Sequence, residues 1–167
     1  MSTPIVTRGD DALTFTTSPT DVMRFLAGGD ENSPDVYVEE LAPGDGPPLH
    51  RHPWVTWEVV VAGRIRVLVG EDTYEAGAGD LIFTPPNVPH TFMAIGDGPA
   101  KLVGINWPGG FHHLYAKMAP LFQVAGPPDF GALAAAAAEH GAEILGPPLA
   151  HVESAGGVQP PIPPADR

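Results

Sequence analysis

The 167-residue chain has no cysteine, which excludes disulfides and thiolate metal sites. Basic residues are nearly as scarce: eight Lys and Arg stand against 20 Asp and Glu, a formal charge of −12 at pH 7. Nucleic acid and anionic membranes both demand Lys/Arg clusters, so neither is an expected partner. No apolar run is long enough to span a bilayer, and no basic segment followed by an apolar stretch opens the chain. The default expectation is a soluble cytoplasmic protein. Charge of either sign is sparse at 17%, whereas Gly (20) and Pro (21) are abundant. That mix suits one all-β domain with many turns better than a helical bundle.

Two periodicities divide the chain. Up to Trp107, short alternating apolar stretches sit between Gly- and Pro-rich turns, and 11–17, 21–27, 36–41, 73–75, 81–84, 91–94 and 101–107 read as strands. Between 59 and 70, two β-branched runs flank Gly63, and Arg64 and Arg66 alternate with Ile65, Val67 and Val69. This pattern predicts a hairpin across Gly63 with the arginines outward. After Pro108 the spacing of Phe111, Leu114, Tyr115, Met118, Leu121 and Phe122 is helical. A second helix is predicted over 130–145, capped by Asp129, built on the alanine run 134–138 and stopped by Gly146 and two prolines. Beyond 150 the Pro- and Gly-rich composition predicts disorder.

The chemistry concentrates in 44–58. His50 and His52 are two residues apart, so on a strand both imidazoles point to one face. Metal–imidazole distances of about 2.0–2.1 Å let two such rings share one ion without bending the backbone. His90 follows the stiff segment Pro85-Pro86-Asn87-Val88-Pro89 and is the candidate third ligand. Glu58 shares the parity of Thr56, which makes it an inward carboxylate and a candidate catalytic base. Trp54, Thr56 and Phe92 are candidate pocket residues, while His112 and His113 read as surface or lid histidines.

These residues resemble the cupin superfamily. Its first motif, G-x5-H-x-H-x3-E-x6-G, is matched by Gly44, His50, His52 and Gly63, with Thr56 in the glutamate position. Its second, G-x5-P-x-G-x2-H-x3-N, is matched by Gly79, Pro85 and His90, with Asn87 and Ala94 replacing the second glycine and the asparagine. More loosely, 128–149 is similar to the tail of bacterial single-cupin proteins related to quercetin dioxygenase. The resemblance implies an all-β double-stranded β-helix, the jelly-roll cupin barrel, with a short helical C-terminal extension. Its segments would be a flexible 1–10, a barrel over 11–108, a helical 109–149 packed on the barrel, and a disordered 150–167. It also implies a homodimer joined through the N-terminal strands, and a divalent metal on His50, His52 and His90. Iron comes first, with Mn, Ni, Cu and Zn equally acceptable to imidazoles.

The implied activity is that of a metal-dependent dioxygenase or other oxidoreductase acting on a small aromatic or enolisable substrate. Two alternatives stay open: a redox-neutral isomerase, cyclase or decarboxylase, and a non-catalytic small-molecule binder favoured by the motif departures. Thr56 cannot supply a strong anionic ligand. Glu58 lies about 6–7 Å further along the strand. A bulge between Pro53 and Trp57 would swing it in as a fourth ligand, and without one it is a base or a structural carboxylate.

Overall fold

The computed structural model describes residues 6–124 and 128–154. Leu13–Ser18 (β1), Asp21–Ala27 (β2) and Asp35–Leu41 (β3) form an antiparallel meander. Pro48–Arg51 (β4), Val55–Ala62 (β5), Arg64–Val69 (β6) and Asp72–Gly77 (β7) follow. Leu81–Thr84 (β8), His90–Ile95 (β9) and Ala100–Trp107 (β10) precede two helices, Phe111–Phe122 (α1) and Phe130–Glu139 (α2). Glu143–Pro148 (β11) and Leu149–Ser154 (α3) complete the described chain.

The strands make a six-stranded sheet, β1-β2-β3-β10-β5-β8, and a five-stranded sheet, β11-β4-β9-β6-β7. Leu41, Val60 and Leu102 from the first sheet pack against Ile65, Val67 and Phe92 from the second, so the two sheets enclose one core. This is the double-stranded β-helix that the motifs imply. Leu41, Val60, Ile65 and Leu102 are fully buried, and each such side chain contributes about 1.5–3 kcal/mol. The outer face of the β6–β7 pair carries Arg64 and Arg66, both ion-paired with Glu75.

Three expectations need correction. Residues 59–70 do not form a hairpin: β5 and β6 are joined by Gly63 alone and belong to different sheets. Gly63 has φ +74, and a Cβ there would lie 2.4 Å from the Pro99 carbonyl oxygen. It therefore marks a corner where the chain changes sheets, since alternation reveals a strand's faces but not its partner. The second helix ends at Glu139, not at 145. Gly141, at φ +77, reverses the chain, and 143–148 becomes an edge strand beside β4, a place where prolines are tolerated. Finally, 150–154 is helical, as part of Leu149–Ser154, where disorder was expected, and 155–167 lies outside the described residues.

Both helices start as their sequences suggest. The Asp129 side chain accepts hydrogen bonds from the Gly131 and Ala132 amides at 2.9 and 3.1 Å, an N-cap. α1 is anchored by Asp35, whose carboxylate accepts from the Phe111 amide at 2.6 Å, from Gly29 N at 2.7 Å, and pairs with His112 Nδ1 at 2.8 Å. His112 thus serves to seat α1 on the barrel, and its ring packs on Gly28. The apolar face of α1 lies across the β1–β3 end of the barrel, with Phe111 5.8 Å from Tyr37 and Tyr115 5.9 Å from Phe25.

Candidate metal centre

The register of β4 against β9 places His50 opposite His90. His50 and His52 project to the same side, and the ring centroids stand 4.2 Å (His50–His90), 4.6 Å (His52–His90) and 5.6 Å (His50–His52) apart. One nitrogen of each ring lies within 4.8 Å of the other two. Each Nδ1 meets a carbonyl oxygen two residues away: Pro48 at 2.8 Å, Trp54 at 3.0 Å and Val88 at 2.9 Å, for His50, His52 and His90 in turn. A carbonyl can only accept, so each Nδ1 keeps its proton and each Nε2 is left with its lone pair. Burial lowers the pKa of His50, takes His52 down to about 3 with help from His50, and holds His90 well below the usual imidazole range. All three rings are therefore neutral at pH 7, the state a divalent metal requires. A converging set of neutral imidazoles with fixed tautomers fits such an ion.

Local backbone chemistry supports this arrangement. Asn87, which stands where the second motif has glycine, adopts φ 63, and its amide donates to the His52 carbonyl at 2.7 Å. Asparagine tolerates the left-handed region, so the loop keeps the turn that a glycine would have given. The Trp54 indole stacks on His52, with ring centroids 4.3 Å apart and planes 5° off parallel. Trp54 packs outward on Phe111, Leu114 and Ala137 and lines neither of the two cavities described below, so it backs a histidine and is not a pocket residue.

Glu58 stays one pleat beyond Thr56 and outside the histidine cluster. Across 55–59 the pairing of β5 with β8 and with β10 is regular, so that stretch has no bulge to re-aim the carboxylate, and Glu58 is not among the clustered ligands. It accepts a hydrogen bond from Tyr37 at 3.0 Å, and burial raises its pKa to about 7. Gly104 lies between Tyr37 and Glu58 in the register, and a Cβ there would fall 2.0 Å from the tyrosine ring. The missing side chain is what lets the phenol reach the carboxylate. Thr56, on the same inner face, donates to Asn106 Oδ1 at 2.7 Å.

Two connected cavities reach these groups. A small one of about 40 Å³ is lined by His50, His52, His90, Glu58, Thr56 and Phe92, among others. A larger one of about 380 Å³ opens between the barrel mouth and the C-terminal segment, walled by Leu114, Met118, Phe130, Leu133 and Ile144. Glu39, Pro47, His50, Phe111 and Tyr115 line both. Sequence reasoning placed Thr56 and Phe92 at the pocket but missed Tyr37, Glu39, Asn106 and Tyr115. The available signal was the shared parity of Tyr37, Glu39 and Leu41, which puts Glu39 on whichever face is buried.

Residues 37–106 match the family model described as Cupin domain. No curated protein matches the chain. Among solved structures, an RmlC-like cupin from Shewanella frigidimarina is 19% identical and superposes with a TM-score of 0.58, covering 66% of this chain and 96% of that one. KdgF from Halomonas sp. is 15% identical at a TM-score of 0.55, covering 64% and 94%. The polyketide cyclase RemF from Streptomyces resistomycificus is 21% identical at 0.51, covering 64% and 79%. At these identities the likeness concerns the fold. No described helix is long and apolar enough to cross a membrane.

Proposed function

The barrel of this chain is a cupin domain, and from that premise we propose that it is a metal-dependent enzyme acting on a small aromatic or enolisable substrate. The observation that carries this reading is the convergence of His50, His52 and His90, each with its Nδ1 bound to a carbonyl. Those three residues would hold the metal, iron first. A divalent metal there supplies Lewis acidity and, when redox-active, electron exchange with oxygen. Cavity sizes divide the substrate: about 40 Å³ holds little more than a reacting group, whereas about 380 Å³ suits the body of a ring system. In the small cavity Glu58 takes or holds a proton on Oε2, because Tyr37 occupies Oε1. Asn106 Nδ2, buried and without a hydrogen-bond partner among the described residues, is placed to donate to an oxygen of the reacting group.

We put a dioxygenase first. The second reading, a redox-neutral isomerase, cyclase or decarboxylase, is favoured by Glu58, since a buried carboxyl that titrates near neutrality suits a reaction needing only proton movement. Metal analysis of protein purified without chelator tests the common core. Near-stoichiometric metal in the wild type, lost in His90→Ala, is expected, and equal metal in both would remove the proposal. An oxygen electrode then separates the two readings, because turnover without oxygen uptake rules out the dioxygenase. Metal-free protein that binds aromatics without turnover would leave a binding protein.

The partner we propose is a second copy, seated on the outer face of β5, β8 and β10 and not on the N-terminal strands. Val59, Val61, Leu81, Phe83, Ile105 and Trp107 are exposed there. These six are uncharged in a chain of net charge −12, so this is where two copies meet with least repulsion. Sedimentation should show a dimer that Phe83→Glu dissociates. A wild type that is monomeric at every concentration refutes it.

A further inference from the structure

Glu39 is not used by the chemistry above, yet its surroundings call for a ligand. It projects inward from β3, is 2% exposed, and lines both cavities where they join. Its Oε2 is buried and has no hydrogen-bond partner among the described residues. An unsatisfied buried polar atom costs about 1–3 kcal/mol, so a bound molecule that satisfies it gains that contact at full strength. Among the described residues no Lys or Arg lines either cavity, and the carboxyls whose charge acts on Glu39 are Asp21 and Glu58. Burial, with those two neighbours, holds Glu39 well above the usual carboxylate range, and burial pushes Asp21 up to about 6. Phe111, Leu114, Met118, Phe130 and Leu133 line the larger cavity together with Glu39 and Asp21, an apolar surface that fits a flat apolar body.

We infer that Glu39 anchors a hydroxyl group carried on the aromatic body of the ligand, at the seam between the two cavities. A hydroxyl both donates and accepts, so it satisfies Oε2 whether the carboxyl is protonated or not. A ketone or an ether matches only the protonated form. The ligand is therefore a phenol-type molecule: its reacting group enters the small cavity and a second oxygen stays at Glu39. This rests on reading the cavities as the substrate site, but it does not need the metal. It makes Glu39 a specificity-determining residue that selects hydroxylated rings over their methyl or unsubstituted counterparts.

The test uses the full chain stripped of metal, with 2-naphthol and 2-methylnaphthalene as probes in titration calorimetry. Wild type should bind the naphthol about tenfold more tightly, the worth of one buried hydrogen bond. Glu39→Leu should bring the ratio to about one while keeping methylnaphthalene affinity. Glu39→Gln, whose amide also donates and accepts, should retain the preference. His90→Ala should retain it too, which separates this inference from the metal site: loss in His90→Ala would put the hydroxyl at the histidines and overturn it. Equal binding of both probes by wild type, no binding of either, or a preference that survives Glu39→Leu also overturns it. Tighter binding of 2-naphthylmethylamine than of naphthol would assign the carboxyls to a cation instead. Should Glu39→Leu not fold, infrared difference spectra decide. Naphthol should shift a carboxyl stretch that is absent from Glu39→Gln, and the lack of any shift refutes the anchor.

Discussion

The same three strands build two unlike ends of one barrel. Level by level from the mouth inward, the inner face of β5 presents Thr56, Glu58 and Val60, that of β10 Asn106, Gly104 and Leu102, and that of β3 Asp35, Tyr37 and Glu39, with Leu41 one level further on. The register sets Val60 beside Leu102, and Glu58 beside Gly104. One pleat, about 6–7 Å, thus separates the polar layer of Tyr37 and Glu58 from a layer of Val60 and Leu102 in which Glu39 is the one polar group. At the closed end Leu41, Val60 and Leu102 are fully buried and pack with Ile65 and Val67. Three buried polar atoms among the described residues have no hydrogen-bond partner and lie on the cavity side of the barrel or against its histidines: Glu39 Oε2 level with Leu102, Asn106 Nδ2 two levels nearer the mouth, and Trp54 Nε1 beside His52. Each orphan costs about 1–3 kcal/mol, so the mouth carries a destabilising load that the closed end offsets. Unsatisfied groups that gather beside a histidine cluster are what a binding site looks like before its ligand arrives.

If stability resides at the closed end, Leu102→Ala should lower the unfolding free energy by about 2–5 kcal/mol, the usual result of emptying a fully buried leucine site. Metal affinity measured on the folded protein should change little. A large loss of metal affinity with a small loss of stability would break the division between the two ends.

The mouth should show its load as a pH effect. The Glu58 pKa rises from 4.5 to about 7 on burial in the metal-free protein. Between those values the folded chain keeps a proton that the unfolded chain releases, so unfolding free energy falls as pH rises. At about 1.4 kcal/mol per pH unit the penalty reaches about 3 kcal/mol above pH 7 and vanishes below pH 4.5. Glu39 and Asp21 also have raised pKa values, and Glu39 is raised in part by Glu58, so the difference between wild type and Glu58→Gln reports Glu58 together with its effect on Glu39. Denaturation at several pH values should show Glu58→Gln gaining on wild type as pH climbs through that window. A difference independent of pH would mean that Glu58 is not desolvated.

How much of this was legible depended on whether a feature is local. The parity of His50 and His52 is a property of one strand, and the stiff loop before His90 is readable from its prolines, so the histidine cluster could be anticipated. The Asp129 cap is likewise local. By contrast, alternation in 36–41 offers two faces, and only pairing with β2 and β10 decides that Glu39 goes inside. The same limit concealed the separation of β5 from β6, because periodicity does not name a strand's partner. The 143–148 segment reads as a helix end beside an alanine run. It becomes a strand because Gly141 turns the chain and the edge of β4 is free to receive it, with Arg51 and Glu143 paired at 2.7 Å. Trp54 looked like pocket lining because its place near the mouth was right, but its ring direction is set by His52.

The C-terminal segment offers the finest test of the comparison, since it closes the mouth without belonging to the closed end. α2 supplies Leu133 and Ala137 to the large cavity and is held at its start by the Asp129 carboxylate. Removing that cap in Asp129→Ala should cost about 1 kcal/mol. The cost should fall on α2 and its contacts with α1 and β11, because no residue of these elements belongs to the core cluster of Leu41, Val60, Ile65 and Leu102. Hydrogen exchange should therefore quicken in α2 while β5, β6 and β10 keep their protection, and binding of an aromatic probe in the large cavity should weaken modestly. Metal content should stay the same, because the three carbonyls that orient the histidines belong to Pro48, Trp54 and Val88, all within the barrel. Were the barrel strands to lose protection together with α2, the helical segment would be part of the barrel's cooperative unit, and mouth and closed end could not be treated as separable.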